Sequence, residues 1–310
     1  MKIPLVVIVG PTGVGKTEVS IQLAQRLKGE IISSDSRLFY RGMDIGTAKP
    51  SLAQRAIVPH HLIDVTTPDK PWSLALFQQI AKETILDIHQ RNHLPFLVGG
   101  TGQYIRSVIE AWEIPANAPD ESLRKTLTLI GTSLGAVELH RRLNIIDPDA
   151  AALIEPNNLR RTVRAFEVIF LTGRKFSKQR RKGTLAYQVC QIGLMRPRTE
   201  LYRRIDSRID QMVADGLLDE VKGLLEIGYP AECAAFSAIG YREMIRVIKN
   251  EIDLEEAVLL MKRYTRQFVR RQANWFKATD PSIQWFDMTL SDAKEVEKYI
   301  QEFFKQKDRE

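Results

Sequence analysis

The 310-residue sequence predicts an α/β fold: a mostly parallel sheet flanked by helices, with a helical module inserted into it. Three observations carry this prediction. Short apolar, β-branched runs alternate with helix-length amphipathic segments, as in a parallel sheet with helices on both faces. Three suspicious loops, GPTGVGKT, SSDSRLFY and GGTGQY, each follow a predicted strand, so they converge beyond the carboxyl ends of the sheet, where such folds bind ligands. From about Trp112 to Lys182 strand-like runs stop, and helical segments rich in arginine take over.

The elements follow in order. Leu5 to Val9 is an uninterrupted apolar run, the mark of a buried strand. The loop after it, Gly10, Pro11, Thr12, Gly13, Val14, Gly15, Lys16 and Thr17, matches G-x-x-x-x-G-K-[ST], and Lys16 to Leu27 continues as a helix. The core is therefore expected to be of P-loop type. EIISSD, Glu30 to Asp35, is a second strand, which completes a β-α-β opening. WSLALFQQIAKETILDIHQ reads as a helix, and Leu94 to Gly100 as the next strand. Gln188 to Leu194 returns to the sheet, helices run from Thr199 to Gly228 and from Leu254 to Lys277, and IQWF at Ile283 adds a last strand. An amphipathic, charged helix follows Asp292. The expected division is a catalytic core of residues 1–111 and 186–310 with the module at 112–185.

Composition bounds the function. At 44% hydrophobic residues the chain can bury a large core, and its net charge of +7 suits either a polyanionic partner or a solvated basic surface. Cys190 and Cys233 lie in no metal-binding spacing and suit free thiols in a reducing compartment. The apolar run at the start is too short for a signal sequence and feeds directly into the glycine loop. No stretch reaches the ~18–20 apolar residues of a membrane span. A cytoplasmic location without membrane contact is expected.

Several residues carry candidate chemistry. The backbone N–H groups of the glycine loop can ring a diphosphate, Lys16 adds a point charge, and the Thr17 hydroxyl can ligate Mg²⁺. This identifies phosphate binding and leaves the reaction open. Asp35 and Ser36 suit either a substrate-binding acid or a helix cap. Gly99, Gly100 and Gly102 suit either a tight turn or close approach to a ligand beside Thr101. His60 and His61 would point to opposite faces of a strand, a poor metal pair, so a structural role is expected. In MKRYTRQFVRRQANWFK, helical spacing gathers Ala257, Met261, Tyr264, Phe268 and Trp275 on one stripe and Arg263, Arg266, Arg270 and Lys277 opposite. The basic side is a solvated face or a phosphate-binding one. Gln272 falls within the apolar stripe and asks for a buried partner. Arg204 and Arg208, one turn apart, either reach the anion at the loop or pair with Asp206 and Asp210.

Taken together, GPTGVGKT, SSDSRLFYRGMDIGTAKP, HHLID, GGTGQY, NNLRRTVRAFEV, LYRRIDSRIDQM, FSAIGYREM and TRQFVRRQANWFK resemble, in order and spacing, the tRNA dimethylallyltransferase (IPP transferase) family. The resemblance spans nearly the whole chain. It implies an enzyme that moves a dimethylallyl group from dimethylallyl diphosphate to the adenosine 3′ of the anticodon, with Mg²⁺ as cofactor and the tRNA anticodon stem-loop as partner. It further implies that the glycine loop holds the diphosphate, that Asp35 is the general base, that Thr101 sits near the amine, and that Arg208, with Arg204 the alternative, meets the diphosphate. Asp35, Ser36, Arg37, Leu38, Thr101, Arg160, Arg161, Arg164, Arg266, Arg270 and Gln272 are implied tRNA contacts, and a monomer is expected. Leu38 stands where the family usually has glutamine, Gln103 where it has leucine, Asn158 where aspartate is common and Asn274 where threonine is common. A P-loop kinase and a noncatalytic RNA-binding protein are the competing classes.

Overall fold

The computed structural model describes residues 2–70, 72–114, 120–179, 183 and 186–307; Arg180, Arg181 and Lys182 of the arginine-rich stretch lie outside the described residues. Contacts divide the chain into two units, Met1–Ile109 with Ala186–Glu310, and Glu110–Leu185.

In the first unit six strands form one sheet: β1 (Ile3–Val9), β2 (Gly29–Ser33), β3 (His60–His61), β4 (Leu94–Val98), β5 (Tyr187–Met195) and β6 (Ile283–Asp287). Their order is β3-β2-β4-β1-β5-β6, and every pairing is parallel. The central strand explains why its sequence is continuously apolar. Helices cover both faces, so all five side chains from Leu5 to Val9 are fully buried. Alternation sends Val6 and Ile8 into one core with Val19 and Leu23 of helix Lys16–Arg26. Leu5, Val7 and Val9 enter the other, with Phe77, Ile85 and Ile88 of helix Leu74–Gln90. Each such burial contributes about 2 kcal/mol.

Some boundaries differ from expectation. The stretch from Thr199 to Gly228 is two helices, Arg198–Ala214 and Leu217–Glu226, separated at Gly216, whose φ of 94° interrupts a right-handed helix. The helix from Leu254 ends at Ala273, so Trp275 lies beyond it. The expected last strand and tail helix are present as β6 and Ala293–Lys307. No helix among the described residues is long and apolar enough to cross a membrane.

β3 was not expected; two residues are too few to produce an alternating pattern. Its His61 has the structural role foreseen for the histidine pair. Glu30, on β2, is 1% exposed and accepts hydrogen bonds from Arg91, His61 (2.7 Å) and His93 (2.6 Å). His60 bonds the Val58 carbonyl at 2.8 Å.

The second unit has its own small core, in which Leu127, Leu139, Leu143 and Phe166 meet. Asn158 caps helix Leu159–Thr172 by accepting the Arg161 N–H at 3.1 Å, a task asparagine and aspartate perform equally well. The buried Glu167 carboxylate pairs with Arg124 (3.0 Å) and Arg164 (2.9 Å). Arg164 is thus engaged within its own unit, while Arg160 and Arg161 are exposed.

Burial pushes the Glu30 carboxyl up, but hydrogen bonds from Arg91, His61 and His93 outweigh it and hold the group at about 2, down from 4.5. A carboxylate held low in the fold stabilises it above pH ~4.5, and that contribution is lost as pH falls towards 2. Glu30→Gln should therefore flatten the acid limb of stability, by up to about 1.4 kcal/mol per pH unit. Urea midpoints measured from pH 5 to pH 2.5 on both proteins test this; identical slopes would assign the acid sensitivity to other carboxylates.

Candidate active site

The loop after β1 turns sharply because the chain must pass close to β5. A Cβ on Gly10 would lie 2.5 Å from the Leu194 carbonyl oxygen, and Gly13 and Gly15 have φ of 82° and 106°. Helix Lys16–Arg26 begins directly after Gly15, so its amino-terminal N–H groups and positive dipole end belong to the loop. The Lys16 ammonium donates to the carbonyls of Gly10 and Pro11, each at 2.9 Å, and so lies across its own loop. Burial lowers its pKa to about 8; Asp35 opposes that shift, and Arg208 adds to it.

The two candidate arginines separate in role. Arg204 donates to the Gly13 carbonyl at 2.9 Å and lies 4.0 Å from Glu18, so it braces the loop from outside. Arg208 makes no hydrogen bond or ion pair among the described residues. Burial lowers its pKa, with Asp35 opposing the shift and Arg204 reinforcing it. Lys16, Arg208 and Asp35 are thus three charges that sense one another.

Asp35 follows β2. One carboxylate oxygen accepts the Arg37 N–H at 3.0 Å, and its carbonyl accepts the Leu38 N–H at 3.1 Å. The carboxylate closes a turn over residues 36–39 rather than capping a helix, since none follows it, and the same residue also lines two cavities. The first, about 870 Å³, is bounded by the glycine loop, Lys16, Thr17, Leu38, Ile45, Lys49 and Arg204. The second, about 440 Å³, is bounded by Ser36, Arg37, Thr101, Arg242, Phe268, Arg271 and Trp275. Thr12, Asp35, Thr47, Arg208 and Met212 line both, so the cavities meet at the Asp35–Arg208 region.

In the third loop Gly100, Thr101 and Gly102 line the second cavity, and the glycines also have close neighbours within the chain. A Cβ on Gly99 would meet the Ser34 hydroxyl at 2.3 Å, on Gly100 the Gln272 amide at 2.1 Å, and on Gly102 the Trp275 ring at 2.3 Å. The glycines admit three neighbours from elsewhere in the chain. Gln272 is the buried polar group that the stripe implied. Its oxygen accepts the Thr12 N–H at 2.9 Å and its nitrogen donates to the Gly100 carbonyl at 3.2 Å. Its amide therefore bridges two loops of the site, and the residue also lines the second cavity.

Other expected contacts are also engaged internally. Arg37 lines the second cavity but gives its guanidinium to the carbonyls of Ala234 (3.3 Å) and Ala235 (3.2 Å) and to the Ser237 hydroxyl (3.1 Å). Leu38 faces the first cavity and is absent from the lining of the second. Arg266 is ion-paired with Asp206 and lies 5.4 Å over the Tyr202 ring, which removes it from the free basic face; Arg263, Arg270 and Lys277 remain exposed. Phe268, expected on the apolar stripe, is 37% exposed and lines the second cavity. The sequence reading missed Arg242, 4.3 Å over Tyr264, and Arg271, 6.0 Å over Phe268, although arginines interleaved with aromatics were visible in FVRRQANWF. It also missed Lys49, whose side chain is 2% exposed and bonds the Tyr40 carbonyl, Asp44 and Asp64.

With Lys16 held at about 8, binding of inorganic pyrophosphate, which favours the charged amine, should weaken as pH rises from 7.5 to 9. The loss should approach tenfold per pH unit above 8 and vanish in Lys16→Arg, whose charge does not titrate there. Calorimetry on both proteins checks this; parallel pH profiles would remove Lys16 as the cause.

A family model described as IPP transferase matches residues 38–279. A tRNA dimethylallyltransferase from Roseiflexus sp. (strain RS-1) is 49% identical over 293 residues, covering 94% of this chain and 96% of the relative. The crystal structure of the full-length tRNA isopentenylpyrophosphate transferase from Bacillus halodurans is similar at a TM-score of 0.75, with 44% identity and 99% of each chain covered. A eukaryotic dimethylallyltransferase, solved in crystallographic snapshots of its action on tRNA, aligns at a TM-score of 0.79 with 30% identity, over 92% of this chain and 73% of its own.

Proposed function

The chain belongs to the IPP transferase family, and on that footing we propose that it transfers a dimethylallyl group from dimethylallyl diphosphate to the exocyclic amine of the adenosine 3′ of the tRNA anticodon, releasing diphosphate. The observation that carries this reading is the pair of cavities meeting at Asp35 and Arg208, with a phosphate-binding loop at one end and an aromatic, basic rim at the other. Such a space admits a donor from one side and a flipped base from the other.

In the proposed reaction the allylic carbon–oxygen bond breaks, its electron pair goes to the diphosphate, and the adenine nitrogen bonds the carbon. Charge growing on the diphosphate is met by loop N–H groups, Lys16 and Arg208. The adenine amine is a weak nucleophile because its lone pair is delocalised into the ring, so Asp35 accepts its proton as the new bond forms. Thr101, at the second cavity, is suited to hold the amine's neighbourhood.

Mg²⁺ fits the donor set. Thr17 offers a hard oxygen ligand at the first cavity, and among the described residues no cluster of three His, Cys, Asp or Glu side chains could hold a metal alone. A cation held chiefly by substrate phosphates and water, with Thr17 contributing, is the usual mode for this ion. When bound it would supply added charge stabilisation at the diphosphate. With tRNA as acceptor, the cytoplasm is the compartment we propose. Arg160 and Arg161 on the module and Arg270 on the core are exposed cations suited to tRNA phosphates.

Labelled dimethylallyl diphosphate, Mg²⁺ and unmodified tRNA, with no ATP, should yield labelled adenosine after digestion to nucleosides. Activity that required ATP and released ADP in step would favour the kinase class. Asp35→Asn keeps the oxygen that accepts the Arg37 N–H but loses the charge. It should slow single-turnover transfer by roughly 10²–10⁴ with little change in melting temperature or tRNA affinity. Near-normal transfer would remove Asp35 as the base.

The basic helix gives a separate test. Arg270→Ala should lower the slope of log tRNA affinity against log salt by about one. Arg266→Ala should change it less, because Asp206 already neutralises that charge. Equal changes in the two variants would return Arg266 to the phosphate-binding face.

A further inference from the structure

Two segments of the chain that line the cavities, GMDIGTAKP and FSAIGYREM, meet at one carboxylate. Glu220 lies in the first turn of helix Leu217–Glu226. One of its oxygens accepts the N–H of Asp44 at 2.9 Å and of Ile45 at 2.7 Å; the other accepts the N–H of Gly46 at 3.3 Å and the Tyr241 hydroxyl at 2.5 Å. Three successive backbone N–H groups converge on one anion, an arrangement that fixes the backbone conformation of the segment. Tyr241 is fully buried, and its ring packs so closely under the segment that a Cβ on Gly46 would fall 2.5 Å from it. The held segment is a wall of the site: Asp44, Ile45, Ala48 and Lys49 line the first cavity alone, Gly46 lines the second alone, and Thr47 lines both.

We propose that Glu220, locked by Tyr241, is a positioning residue that sets the wall of the first cavity and thereby the affinity for the prenyl diphosphate donor. Glu220 itself lines neither cavity, so it acts through residues 44–48. The identity of the ligand rests on the proposed function; the clamp does not. Without the carboxylate, three N–H groups that face one another's partial charge lose their common acceptor, and the wall relaxes away from the glycine loop. The effect should fall on the donor more than on tRNA, because four of the wall residues face only the first cavity and one, Gly46, only the second.

The test is calorimetric binding of dimethylallyl diphosphate, without tRNA, to the wild-type protein, Glu220→Ala, Glu220→Gln and Tyr241→Phe, beside tRNA affinity for each. Glu220→Ala should weaken donor binding about tenfold, the loss expected for a charged acceptor of several hydrogen bonds, with tRNA affinity within about twofold of wild type. Glu220→Gln should recover part of the loss, since its amide oxygen can still accept from Asp44 and Ile45. Tyr241→Phe, which removes one hydroxyl from an otherwise intact core, should weaken donor binding by roughly two- to fivefold. Wild-type donor affinity in Glu220→Ala, or donor and tRNA affinity falling together, would overturn the proposal. If Glu220→Ala does not fold, Tyr241→Phe decides it, and unchanged donor affinity there overturns it. Should the wild-type protein bind the donor and yet transfer nothing to tRNA, the functional reading fails while the binding comparison still judges the clamp.

Discussion

Parallel pairing of β2, β4, β1 and β5 is the constraint from which the site follows. Strands running the same way deliver their following loops to one edge, so the glycine loop after β1, Asp35 after β2 and the GGTG turn after β4 meet without any long-range device. What remains is to fix them relative to one another at atomic precision. Gln272 does this for two loops with one amide, and Arg204 ties the glycine loop to helix Arg198–Ala214. The third loop can receive its neighbours only because Gly99, Gly100 and Gly102 lack side chains.

The features legible in the sequence are those generated by local periodicity. The apolar runs of β1, β2, β4 and β5 announced buried strands because both faces of the sheet are covered, and the glycine loop announced phosphate because its pattern is set by backbone geometry. Gln272 was legible in half: a polar residue in an apolar stripe demands a partner, but the partners lie 260 and 172 residues away. Arg37 and Arg266 read as free cations because their acceptors, the carbonyls of Ala234 and Ala235 and the carboxylate of Asp206, are distant in sequence. Glu220 carried no signal. In LLDEVKGLLE it is one more acid at the start of a helix, where acids are favoured by the dipole alone.

The electrostatics of the cavity junction bear on why a loop familiar from nucleotide chemistry suits a prenyl donor. A glycine loop with its lysine recognises phosphate oxygens and is indifferent to what they are attached to. In this protein Lys16 and Arg208 both sense the Asp35 carboxylate without pairing to it, and burial disfavours the charge on both cations. A diphosphate entering the first cavity offers them a stronger anion, and binding is favoured by the charge they could not fully neutralise before. In the proposed reaction negative charge accumulates on the diphosphate as the carbon–oxygen bond of the donor lengthens, and would draw the two cations further towards it. In the proposed reaction Asp35 then feels less positive charge at the stage when the adenine nitrogen becomes acidic through bonding to carbon. Leaving-group stabilisation and proton removal are then coupled through one pair of cations, which requires the acid to sit between the two cavities, where the structure holds it by the Arg37 N–H.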